Sequence, residues 1–138
     1  MAYQWDASLE TGREEVDSQH RQLIAALNAL IEASAAGKSR EEIFETLDFL
    51  TAYTIKHFAD EEKLQIDYDY PDYLVHKRYH DEFKAAVEEM AGQMRKEGPS
   101  EALISRVTAA IGNWLLNHIK GDDFRMAAYI KQSAIQET

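Results

Sequence analysis

The chain has 138 residues, no cysteine and a formal net charge of -10. That length fits one domain of ordinary size, and the lack of cysteine excludes disulfides, thiolate-bound zinc, iron–sulfur clusters and covalently attached c-type haem. With 45% hydrophobic and 29% charged residues the composition is globular, and the acidic balance argues against nucleic acid or an anionic membrane as partner.

The first residues, Met1-Ala2-Tyr3-Gln4-Trp5-Asp6, lack the basic start and apolar run of a secretory signal. No apolar stretch approaches the roughly 18 residues of a membrane span, so a cytoplasmic location is expected. Residues 1–17 read as an extended arm anchored by Trp5. A first helix is expected over about 18–36, with the apolar line Leu23, Ile24, Leu27, Leu30 and Ile31 and a stop at Gly37. A second, about 39–67, opens on Ser39 with Glu42 placed for a capping box. Its stripe runs Ile43, Leu47, Leu50, Thr54, His57, Glu61, Leu64. Pro71 breaks the chain before a third helix over about 72–96, whose stripe is Tyr73, His76, His80, Phe83, Val87, Met90 and Met94. After Gly98-Pro99 a fourth, about 100–121, carries Ile104, Val107, Ile111, Trp114, Leu115 and His118, and a short helical tail runs on through about Ile130. Four amphipathic helices with short links predict a single all-α domain over 1–138, an antiparallel up-down-up-down four-helix bundle.

All five histidines of the chain, His20, His57, His76, His80 and His118, lie on these inward stripes. Antiparallel packing brings the start of the first helix, the end of the second, the start of the third and the end of the fourth to one end of the bundle. Carboxylates accompany them: Glu61 one turn after His57, and Asp122-Asp123 after His118. A lone inward histidine is usually a satisfied core residue, and a pair one turn apart can be a surface accident. Five buried imidazoles at one level, however, would each need a partner and would repel one another when protonated; a metal accounts for them together. Zinc prefers four ligands, and calcium and magnesium prefer oxygen. The Glu-x-x-His pairs of ferritin-like centres are missing, since Asp17, Thr54, Tyr73, Lys77 and Leu115 stand three residues before the histidines. A nitrogen-rich, carboxylate-bridged set suits two iron ions. Asp60 and Glu62, beside Glu61, are expected on a solvated face.

Four stretches carry a resemblance: Asp17-Ser18-Gln19-His20; His57-Phe58 through Glu61-Glu62; Tyr70-Pro71 followed by His76-x-x-x-His80; and Trp114-Leu115-Leu116-Asn117-His118-Ile119 through Asp123. From about Trp5 to Tyr129 the chain resembles the hemerythrin family, in particular its single-domain bacterial members. The resemblance implies two non-haem iron ions per chain with a bridging oxo or hydroxo group. His76, His80 and His118 would hold one iron, His20 and His57 the other, and Glu61 and Asp123 would bridge. Simple helix geometry favours Asp122 as the second bridge; the family spacing selects Asp123, with Gly121 letting the last turn widen. An apolar oxygen pocket of Leu23, Phe58, Trp114, Leu115 and Ile119 is expected beside the open position. Arg13 and Gln65 depart from the family pattern.

The implied function is reversible dioxygen binding for storage, transport or delivery, without catalysis, and with an oxygen-consuming or signalling protein as partner. An oxygen or redox sensor, or a di-iron oxidoreductase acting on peroxide or nitric oxide, would share the same constellation.

Overall fold

A computed structural model describes residues 2–136. Five α-helices follow one another: α1 Glu14–Ala35, α2 Arg40–Asp67, α3 Tyr73–Glu97, α4 Glu101–His118 and α5 Phe124–Gln136. A single 3-10 turn, Ala7–Leu9, interrupts the N-terminal arm, and a π-helical turn, Ile119–Asp123, joins α4 to α5. α1 packs on α2 and α4, and α3 packs on the same two, which closes the first four helices into an all-α four-helix bundle. No strand occurs among the described residues.

Local chemistry sets the helix ends. The Ser39 hydroxyl accepts from the Glu42 N–H at the start of α2, and the Ser100 hydroxyl accepts from the Leu103 N–H at the start of α4. Gly37 and Gly98 close α1 and α3 at φ 67 and 94, where a side chain would be strained. α1 begins at Glu14, earlier than the Ser18 start suggested by the sequence. Glu14, Glu15 and Asp17 favour the positive end of the helix dipole. Asp17 also reaches back to the arm: its Oδ1 accepts from the Thr11 N–H (2.8 Å) and hydroxyl (2.7 Å), and its Oδ2 from the Gly12 N–H (3.2 Å).

The apolar stripes meet as expected. Leu27, Leu30, Leu47, Leu50, Met94 and Ile104 are buried between the four helices, each burial worth about 1.5–3 kcal/mol. A second, smaller cluster of Val16, Tyr70, Met126 and Ile130 lies where α5 folds against the histidine-bearing end. α5 runs on to Gln136, past the Ile130 end expected for the tail.

The arm lies against α1 and α4. The Asn28 side chain accepts from the Tyr3 N–H and donates to the Tyr3 carbonyl, both at 2.7 Å, as a neighbouring strand would. The Tyr3 ring lies so close to Gly112 of α4 that a Cβ there would sit 2.2 Å from the ring. Trp5 is half-buried with the Arg21 guanidinium over its ring (5.5 Å), and Leu9 is buried in the main core.

Gly112→Ala sets two effects against each other. The helix gains about 1 kcal/mol of propensity, while the new methyl evicts the Tyr3 ring. We expect the bundle to keep its melting temperature and the arm to lift. Hydrogen exchange at the Tyr3 amide should speed by about fivefold or more, the worth of one net hydrogen bond. Unchanged exchange at Tyr3 would show that the arm is not held there.

Candidate metal centre

Seven side chains converge at one end of the bundle, from α1 (His20), α2 (His57, Glu61), α3 (His76, His80), α4 (His118) and the π-helical turn (Asp123). All seven are buried, with His20, His80 and Asp123 at 0% exposure. Two overlapping groups could each hold a metal ion: Glu61, His76, His80, His118 and Asp123, and His20, His57, Glu61 and Asp123. Glu61 and Asp123 belong to both.

The π-helical turn brings Asp123 into this set. An ordinary α-helix would aim residue 122, four after His118, at the same face. One extra residue in the turn carries Asp123 round instead. Asp122 then lies behind His118 and accepts a hydrogen bond from its Nδ1 (2.9 Å).

Outer partners fix how three imidazoles are oriented. Gln19 donates its amide N–H to Asp60 (2.8 Å), which can only accept; its carbonyl oxygen therefore faces His57 Nδ1 (2.6 Å) and accepts from it. Glu62 accepts from His80 Nδ1 (2.9 Å), as Asp122 does from His118. Each of these rings donates a proton outward from Nδ1 and turns its Nε2 inward.

The inward atoms test whether a metal fits. His118 Nε2 lies 2.9 Å from His76 Nε2 and 3.1 Å from His80 Nε2. For a metal–nitrogen bond of about 2.1 Å, neighbouring ligands are about 3.0 Å apart in an octahedron and about 3.4 Å in a tetrahedron, so the spacing is octahedral. Glu61 Oε1 lies against His76 (3.1 Å) and His80 (3.2 Å) but not His118. Asp123 Oδ1 lies against His76 (3.0 Å) and His118 (3.3 Å) but not His80. Five vertices are thus placed, with the sixth opposite His76. The other oxygens face the second group: Glu61 Oε2 is 2.9 Å from His57 Nε2, and Asp123 Oδ2 is 2.9 Å from His20 Nε2. Both oxygens of Glu61 and of Asp123, with Nε2 of His20 and His57, are buried without a hydrogen-bond partner despite these short contacts. They approach without hydrogen-bonding angles, as lone pairs directed at a common centre would.

Without a metal, protons take that place. Burial pulls the imidazoles down, but the carboxylates of Asp123 and Glu61 outweigh it and raise His20 and His76 to about 9. His118, facing the same pair with Asp122 behind it, rises to about 10. Burial would push the two carboxyls up; the surrounding imidazoles instead hold Asp123 and Glu61 low.

All seven candidate ligands named from the sequence are brought together here. Of the expected pocket residues, Leu23, Phe58, Leu115 and Ile119 are buried and Trp114 is half-buried. Phe58 stacks on His80 (3.8 Å between ring centres) and Trp114 on His118 (4.3 Å), so the aromatic wall backs the three-histidine group. Gln65 is fully buried and donates to the Met126 sulfur (3.0 Å). Arg13 lies over the Tyr68 ring. One expectation is corrected: Glu62 is not a solvated acid but the partner of His80, because it sits on the side of α2 that faces α3. Gln19, Glu62 and Asp122 were not singled out from the sequence as outer partners, although each stands next to a candidate ligand.

The family model for the hemerythrin HHE cation-binding domain matches residues 11–130. The bacteriohemerythrin of Stenotrophomonas maltophilia (strain R551-3) is 33% identical over 127 residues, covering 92% of this chain and 80% of that protein. The myohemerythrin of Theromyzon tessulatum is 30% identical over 130 residues, covering 89% of each. A crystal structure of wild-type hemerythrin superposes with a TM-score of 0.83 at 26% identity, covering 94% of this chain and 98% of that one. With the family model spanning most of its length and relatives at this identity, the chain belongs to the hemerythrin family.

Proposed function

We propose that this protein binds dioxygen reversibly at a non-haem di-iron centre, as an oxygen carrier or store. The observation that carries the reading is the pair of buried carboxylates with no hydrogen-bond partner, each presenting one oxygen to two imidazoles of the His76–His80–His118 group and the other to the His20–His57 group. His76, His80 and His118 would hold one iron, His20 and His57 the other, with Glu61 and Asp123 between them. An oxo or hydroxo group would complete the centre. When bound, the iron pair would supply two electrons for the capture of dioxygen. The two-histidine half offers four protein donors against five in the other, which leaves more room there for an outside ligand.

The protein's part is to hold the cage and keep water and protons out. Leu23, Phe58, Leu115 and Ile119 pack apolar surface into the same core, which offers water few polar partners there. Two further carboxylates at this end, Glu62 and Asp122, lie behind the histidines and are tied to their outer N–H groups. Neither faces the interior, where a proton donor would be needed to turn capture into reduction. This arrangement favours binding over turnover on peroxide or nitric oxide.

The test is metal analysis with an absorption spectrum taken through cycles of oxygenation and deoxygenation. We expect two irons per chain and a reversible oxygenated band. One metal per chain, or irreversible oxidation on first exposure, would overturn the reading. Asp123→Ala should lose two-iron loading, whereas Asp122→Ala should retain two irons; the reverse pattern would mean that the wrong aspartate bridges.

Proton competition gives a second expectation. In the metal-free protein, His20, His76 and His118, raised from 6.5 to about 9 or 10, favour the fold fully below the ordinary histidine value, and that contribution is lost as pH rises through 9 to 10. Glu61 and Asp123, held low, contribute above the ordinary carboxylate range and lose it in acid. The metal-free melting temperature should therefore be higher at about pH 6 than at about pH 10.5. The iron-loaded protein, whose carboxylates face cations at either pH, should show a smaller drop. Equal melting of the metal-free protein at both values would contradict this account.

A further inference from the structure

The two halves of the cage differ in what stands behind their histidines. In the three-histidine half, His80 and His118 each donate Nδ1–H to a carboxylate, Glu62 and Asp122, at 2.9 Å. In the two-histidine half, His57 donates to the neutral amide oxygen of Gln19, and His20 Nδ1 is buried with no partner. Gln19 is itself committed to Asp60, which also accepts from Lys56 (2.8 Å).

A carboxylate accepting from Nδ1 draws the proton outward and makes Nε2 a stronger donor to a cation; a neutral amide does so weakly. Glu62 has this effect most fully: it is 14% exposed, and His80 is its bonded partner. Asp122 shares its other oxygen with Arg125, which offsets part of its charge. Donor number points the same way, with five protein donors in one group and four in the other.

Resting on the di-iron reading above, we propose that the three-histidine half is the tight site for a divalent cation, filled first and emptied last, and that Glu62, helped by Asp122, makes it so. Glu62, Asp122 and Gln19 are positioning residues that act through the imidazoles. The two-histidine half is the exchangeable one. A chain carrying a single ion holds it between His76, His80 and His118, and a different divalent metal offered to that chain enters beside His20 and His57.

The experiment starts from the fully loaded, reduced full-length protein, equilibrated without oxygen against rising concentrations of a coloured ferrous chelator. Wild type should give up its iron in two separate steps of one equivalent each. Glu62→Gln should move the tighter step to about 10- to 100-fold lower chelator, the usual cost of a lost outer partner, and leave the looser step in place. Asp122→Asn should move the same step by less. Gln19→Glu combined with Asp60→Asn, which puts a carboxylate behind His57 and keeps an amide beside it, should shift the looser step to higher chelator and draw the two together. Circular dichroism checks that each variant stays folded. Two irons leaving wild type in one step, or Glu62→Gln moving both steps equally, would overturn the inference. A wild-type protein that never holds two irons would instead overturn the di-iron reading itself.

Discussion

Everything at the functional end of this molecule depends on burying two carboxylates side by side. An isolated pair of buried anions costs several kcal/mol each, and Glu61 and Asp123 also repel each other. The bundle offsets this by surrounding them with five imidazoles, one or two from each of the first four helices. Their closeness in turn demands positive charge at the centre, supplied by protons or by metal. The fold concentrates that demand at one end, where α1 starts and α2 ends, and leaves the other end an ordinary aliphatic core.

The second constraint is orientation. A histidine can present either nitrogen, so a cage of five needs its tautomers fixed. The chain does this from outside, with residues adjacent in sequence to candidate ligands: Gln19 before His20, Glu62 after Glu61, Asp122 before Asp123. None of these three serves the ligand beside it. Each binds the back of a histidine on the same or a neighbouring element, so the helices are cross-tied around the cage as well as through it.

Much of this was legible in the sequence. Histidines interrupting apolar stripes at helical spacing place themselves inside, and antiparallel order brings them together. Gly121 after His118 marked the place where the helix widens. The outer partners were not legible, because an acid next to another acid reads as solvated surface unless the neighbouring helix is known. Glu62 becomes a partner of His80 only once α3 lies against that side of α2. The early start of α1 was hidden for a similar reason: Asp17 holds the arm through Thr11 and Gly12, a local turn that periodicity does not encode.

The π-helical turn couples two things that look separate. One inserted residue sets the direction of Asp123, and the same insertion sets the face that α5 presents, since α5 continues without a break from Phe124. Winding 119–123 as a regular helix with all five residues kept would rotate everything beyond it by about 100°. Asp122 would then swing toward the cage while Met126 and Ile130 left their seats beside Val16 and Tyr70. The wide turn therefore answers two demands at once, one from the cage and one from the closing helix. Losing the widening while keeping the residue count would violate both, whereas losing it together with one residue of 119–122 would bring Asp123 to four after His118 and keep α5 in phase.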